Sequence, residues 1–113
     1  MPILQTSFKL NVSFAEYREM CNSLAQVFAD VPGLQWKIWL LNEQEKEAGG
    51  IYLFNSEQAL HDFLSGPIVT QLKGHPAFGD ISVKQFDVMD GVTAVTRGPV
   101  STVATAASSV GSL

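Results

Sequence analysis

The chain holds a single cysteine, Cys21, so no disulfide can close within it, and neither a thiolate metal cluster nor a CxxC redox pair can be built. Histidine is almost as scarce. His61 and His75 stand far apart without the HExxH spacing that sets two imidazoles on one helix face, and no metal set is expected. The paired Gly49 and Gly50 lack the spacing and the strand-to-helix context of a phosphate-cradling loop. Charged residues make up only 16% of the 113 residues, against the roughly 25% usual in soluble domains. The seven Lys and Arg residues are scattered and outnumbered by eleven Asp and Glu, which argues against a phosphate-binding surface and a nucleic-acid partner. No apolar run approaches the roughly 18 residues that a membrane span needs. The opening MPILQTSFKL lacks the charged start and long apolar centre of a secretory signal. No membrane partner is therefore expected, and the cytoplasm is the expected location.

What the chain has in quantity is apolar side chains, 46% of the total, enough at this length for one hydrophobic core. So much apolar surface with so little charge to cover it leads us to expect a second subunit. Cys21 falls within an apolar helical stripe and is expected to be a buried core residue.

Residues 3 to 10 partly alternate, with Ile3, Leu4, Phe8 and Leu10 among Gln5, Ser7 and Lys9, as in a half-buried strand. Ser13 and Glu16 form an S-x-x-E capping box that opens a helix. The helix is marked by Tyr17, Met20, Cys21, Leu24, Val27, Phe28 and Val31 at 3.6-residue spacing, and Pro32-Gly33 ends it. Leu34 to Leu41 and Ala48 to Phe54 read as a hairpin around the polar stretch Asn42 to Lys46. Asn55 or Ser56 caps a short helix carrying Ala59, Leu60, Phe63 and Leu64. Pro67 opens another, which stops at Gly74, and residues 81 to 88 alternate as a last strand. The order βαββαβ predicts an α+β fold of the ferredoxin-like type, one antiparallel four-stranded sheet with helices on one face. The uncovered face calls for a partner subunit, and a homodimer is expected. Residues 1–90 are expected to form this domain and 91–113 a C-terminal extension, in which Val92 to Thr96 could prolong the last strand or add to a partner's edge and Ser101 to Leu113 reads as low-complexity linker.

The motifs Pro32-Gly33-x-x-Trp36-Lys37-x-Trp39, Glu47-Ala48-Gly49-Gly50-x-Tyr52-x-Phe54 and Phe86-Asp87-Val88 resemble the YdhR-like family of monooxygenases. The resemblance covers about residues 3 to 90. It implies a homodimeric α/β barrel related to the antibiotic-biosynthesis monooxygenases. That wider group oxidises polyketide aromatics with O₂ and no metal or flavin, but also includes haem-degrading enzymes, isomerases and simple binders, so fold alone does not settle function.

If the hairpin pairs Asn42 with Glu47, then Lys37, Trp39, Leu41, Tyr52 and Phe54 share one sheet face and Trp36, Ile38, Leu40, Ile51 and Leu53 the other. The first face is amphipathic and suits the wall of a cavity for a small aromatic or apolar ligand. Alternatively its aromatics are core residues and Lys37 reaches solvent. A cofactor-free oxygenase needs a base, an oxyanion partner and a dry pocket. The catalytic candidates are Lys37 and Tyr52 for the oxyanion, with His61 as the group titrating near neutrality. His61 is weakened by neighbours that turn it towards solvent. Trp39 and Phe54 are the candidate substrate walls, joined by Trp36 and Glu47 from the matched motifs. No cofactor is expected. A non-catalytic small-molecule-binding or structural homodimer is the competing reading, and haem binding would require His61 or His75 at a cavity.

Overall fold

The computed structural model describes residues 1–100, so the stretch read as linker, Ser101 to Leu113, lies outside the described residues. The elements are β1 (Pro2–Leu10), α1 (Phe14–Ala29), β2 (Leu34–Asn42), β3 (Glu47–Phe54), α2 (Glu57–Leu64), α3 (Pro67–Gly74), β4 (Phe78–Asp87) and α4 (Asp90–Val95). The four strands form one antiparallel sheet in the order β2-β3-β1-β4, the ferredoxin-like arrangement.

Ser13 caps α1 by accepting the Glu16 N–H at 3.2 Å. The Glu16 carboxylate, instead of returning to the backbone, accepts from the Ser13 hydroxyl at 3.2 Å. Ser56 rather than Asn55 caps α2, accepting the Ala59 N–H at 3.1 Å. β4 begins three residues before the alternating run at Ile81. Its Gly79-Asp80 pair, which reads as a break, is a bulge: Ser7 pairs with Ser82 but Lys9 with Gly79, and Asp80 takes a φ of 50° to fit the extra residue. The residues read as a prolonged strand, Val92 to Thr96, are instead helical or cap the helix α4, which starts at Asp90 with the acidic side chain favoured in a first turn.

α1, α2 and α3 cover one face of the sheet. Leu4, Tyr52 and Phe54 pack there with Phe28 of α1 and Leu60 and Phe63 of α2. Phe8, Leu10, Ala48 and Phe78 pack with Tyr17 around the other end of α1. The opposite face carries Ile3, Trp36, Ile38, Leu40, Ile51, Leu53 and Phe86 by register. Ile38 and Phe86 there are 48% and 49% exposed. The segment after α4 reaches this outer face, where Trp36 Nε1 donates to the Pro99 carbonyl at 2.7 Å.

Gly33 sets the start of β2. Its φ of +80° turns the chain after Pro32, its carbonyl accepts the Asn55 N–H at 2.8 Å, and an added Cβ would run into Ala59 Cβ and lie 2.9 Å from Asn55 Oδ1. Left-handed backbone costs a residue with a Cβ about 1–2 kcal/mol, and the overpacking adds about 1–3 kcal/mol. Gly33→Ala should therefore lower the urea midpoint by the equivalent of about 2–5 kcal/mol. An unchanged midpoint would show that this turn does not hold β2 in place.

Candidate active site

The β2–β3 register places Lys37 opposite Tyr52, Trp39 opposite Gly50 and Asn42 opposite Glu47. A bulge at Gln35 shifts the pairing between Leu34 and Trp36, so Leu34 turns under the helices with Phe54 while Trp36 turns outward with Leu53. Lys37 and Trp39 thus lie on the helix-covered face. The Lys37 amine sits 3.5 Å from the ring centre of Phe28, 3.5 Å from that of Trp39 and 4.8 Å from that of Tyr52. The Phe28 and Trp39 rings meet edge to face at 82° with centres 5.3 Å apart, forming a corner around the ammonium position.

Gly50 makes this possible. A Cβ there would stand 2.9 Å from Lys37 Cε and 3.1 Å from Tyr52 Cε1, so the glycine accommodates the lysine stem and not, as the pairing alone suggests, the indole of Trp39. Gly49 meets the backbone of Thr6 in the same way.

Among the described residues no carboxylate pairs with Lys37; the ion pair there is Arg18–Glu43, exposed on both sides. Burial without a counter-charge favours the neutral amine and draws Lys37 down from 10.5 to about 7, slightly opposed by the nearby Cys21 thiol. The three aromatic faces also favour the cation and return part of that cost. Burial pushes the Tyr52 phenol up to about 12, against a hydrogen bond from Thr6 that favours the phenolate. Burial likewise raises Tyr17, helped by its hydrogen bond with Cys21. Both phenols are therefore neutral donors at physiological pH.

Two cavities flank Phe28. A pocket of about 260 Å³ at the sheet edge is bordered by Phe28, Leu34, Gln35, Trp36, Lys37 and Trp39. A larger groove of about 550 Å³ runs between α1 and α3, with Met20, Leu24, Phe28 and Leu72 among its lining and His75 at one end.

The expected site residues distribute unevenly over this geometry. Lys37, Trp39 and Trp36 border the smaller pocket. Tyr52 and Phe54 are 2% and 0% exposed, packed against Phe63 in the core, and the space beside Tyr52 is about 20 Å³, enough for about one water. His61 is exposed on α2 and borders neither cavity. Glu47 pairs with Lys9 at the far end of the hairpin, on the outer-face register. The helical spacing of Phe28 marks it only as core, and the crossing of α1 over β2 is what brings it to Lys37. The groove was equally hidden, since it is assembled from residues some fifty positions apart.

This sheet, with its helices on one face, is a ferredoxin-like fold. Residues 3–99 match the family model described as "Putative mono-oxygenase ydhR", and the chain belongs to that family. No curated protein matches the chain. Among solved structures it is similar to a putative antibiotic biosynthesis monooxygenase from Deinococcus radiodurans (21% identity, TM-score 0.62, covering 78% of this chain and 92% of that one). It is similar also to SnoaB, a cofactor-independent oxygenase from Streptomyces nogalater (17%, TM-score 0.63, 77% and 91%). A third is the haem degrader MhuD from Mycobacterium tuberculosis, solved with two haems in its active site (17%, TM-score 0.63, 79% and 96%).

Haem does not fit the donors present here. His75 borders the groove, but its Nδ1 accepts the Ala77 N–H at 3.0 Å, which puts the imidazole proton on Nε2, where iron would need a lone pair. No Lys or Arg lines the groove to meet propionates. Nor do the described residues hold any group of three His, Cys, Asp or Glu suited to a metal ion, and none of their helices is long and apolar enough to cross a membrane.

Between about 7 and 10.5 the unfolded chain binds a proton at Lys37 that the folded chain does not, so stability rises with pH across that window. Below it both states are protonated and the burial cost is complete; above it both are neutral and the cost is gone. Lys37→Met should thus be more stable than the parent at pH 6, by about 2 kcal/mol once the aromatic contacts are discounted. The difference should shrink as pH approaches 10. Urea unfolding of both proteins at several pH values checks this, and a pH-independent difference would contradict it.

Proposed function

We propose that the protein is a monooxygenase that needs no cofactor and acts on a small electron-rich aromatic or conjugated substrate, with Lys37 as its base. The observation that carries this reading is the Lys37 amine: half-buried, without a counter-charge, poised near neutrality by burial, and bordering an open pocket walled by Phe28 and Trp39. A group titrating near working pH is what proton abstraction from a phenol or enol demands. The amine takes the hydroxyl proton, and the resulting ammonium remains beside the oxyanion in a water-poor corner where its charge counts for more than in water. The carbon of the anion that carries hydrogen gives its electron pair to O₂ and forms the new C–O bond, with the peroxide taking a proton from the ammonium. Loss of water then leaves a carbonyl, so the substrate supplies both electrons that reduce the second oxygen atom. Tyr52 serves as the neutral wall behind the amine. Family membership and the fold shared with a cofactor-independent oxygenase support this chemistry.

The groove favours a second reading. It is about twice the size of the Lys37 pocket (550 against 260 Å³) and has a largely apolar floor, which suits a module that binds a small molecule without converting it. O₂ uptake separates the two. With an electron-rich phenol or enol, metal-free and flavin-free protein should consume O₂ at a rate that climbs as pH rises through about 7. Lys37→Met and Lys37→Arg should both lose about 10²–10³ in rate, the arginine variant because it keeps the charge but cannot accept a proton. An arginine variant as active as the parent would sink Lys37 as the base, and a bound phenol or enol never turned over would leave the binding module.

Homodimerisation through the outer sheet face completes the proposal. Ile38, Leu40 and Phe86 are exposed there on strands whose other face carries the helices, and Met89 at the cap of α4, with Val92 and Val95 within it, adds further exposed apolar surface. Light scattering at micromolar concentration should give twice the monomer mass, and Ile38→Asp should shift the protein to monomer. A monomeric parent would refute this assembly.

A further inference from the structure

The groove between α1 and α3 carries a one-sided charge. Glu16 and Glu19 line it along α1 and both are exposed. Glu16 is tied to the Ser13 hydroxyl, whereas Glu19 has no ion-pair partner among the described residues. The nearest cation in sequence, Arg18, is turned away to Glu43 at 3.1 Å. Opposite, His75 offers a hydrogen-bond donor, since the bond from Ala77 N–H occupies its Nδ1 and leaves the proton on Nε2. Beside these polar groups the floor is apolar, formed by Met20, Leu24, Phe28 and Leu72.

We propose that this groove binds an aromatic amine as its cation, the ring system lying on the apolar floor, the ammonium beside Glu19 and Glu16, and an acceptor oxygen of the ligand facing His75. The proposal rests on reading the groove as a ligand site. The cavity itself supplies the binding, because burying an aromatic ring is worth far more than a rim charge. The carboxylates decide which rings are admitted. A ligand ammonium gains from both, whereas a ligand carboxylate meets two like charges and no cation. Exposed pairs contribute modestly each, so reversing the ligand's charge against two of them amounts to about tenfold in affinity. The same rim disfavours the propionates of a tetrapyrrole, in agreement with the unsuitable tautomer of His75.

Three probes on one ring test this: 1-naphthylmethylamine, 1-naphthylmethanol and 1-naphthoate, measured by titration calorimetry on the full chain. The expected order is amine, alcohol, carboxylate, with the amine about tenfold tighter than the carboxylate at low salt and the gap closing near about 1 M salt. Glu19→Gln should narrow the gap about threefold while leaving the alcohol unchanged. Gln71→Trp, at an exposed position on the α3 wall, should block all three probes and so locate them. Equal affinities, or a tighter carboxylate, would overturn the charge selectivity. Failure of all three to bind, or binding untouched by Gln71→Trp, would overturn the groove as a ligand site and the proposal with it.

Discussion

The site depends on one cross-strand relationship, Lys37 opposite Tyr52 with a glycine beside them. A lysine on the covered face of a sheet must either snorkel to water or bury its amine, and here the stem lies across Gly50 while the amine ends among Phe28, Trp39 and Tyr52. Side chains alternate along a strand, so a one-residue slip of the hairpin would send Lys37 to the outer face and bring Ile38 and Leu40 under the helices, placing an apolar residue at the corner. Register, glycine and helix crossing therefore act together. The Asn42–Glu47 pairing sets which residues face α1, Gly50 gives the stem its path, and Phe28 meets the amine because α1 crosses the edge of β2.

The sheet divides its two faces between different tasks. The helix-covered face holds the closed packing of Leu4, Phe54, Leu60 and Phe63, and its edge strand β2 is where that packing ends and the pockets begin. The outer face has no helix layer, and Trp36 fastens the segment after α4 to it through Pro99. An antiparallel sheet can leave one face to water, but then polar residues alternate with apolar ones. Here Gln5, Ser7 and Lys84 supply some polarity while β2 contributes Trp36, Ile38 and Leu40 in succession on that face.

The element order, the hairpin pairing and the division of Lys37 and Trp39 from Trp36 and Ile38 were all legible in the sequence, because alternation and turn chemistry are local signals. The bulges were not. Gly79-Asp80 looks like a break until its neighbour strand is known, and the extra residue at Gln35 leaves no mark in the alternating pattern. Cavities were less legible still. Tyr52 and Phe54 read as ligand walls, yet α1 and α2 close over them, and which aromatic is covered depends on where a helix crosses. The groove draws on α1, α3 and His75, residues that no short motif joins. What the sequence did offer was composition: five acidic and amide-bearing polar positions on the two helices, without a pattern that tied them to a common space.

Phe28 belongs to the walls of both cavities. Its ring is 3% exposed, lines both spaces and provides one of the faces over which the Lys37 amine rests. A ligand in the groove therefore touches the ring whose other contacts help to set the amine's charge. Displacing that ring by a fraction of an ångström would alter both the dryness of the corner and the cation–π contact, two influences on Lys37 with opposite signs. If the ring moves away and water enters, the ammonium is favoured; if it is pressed closer, desolvation deepens and the free base gains. The groove and the amine thus share one packed aromatic wall.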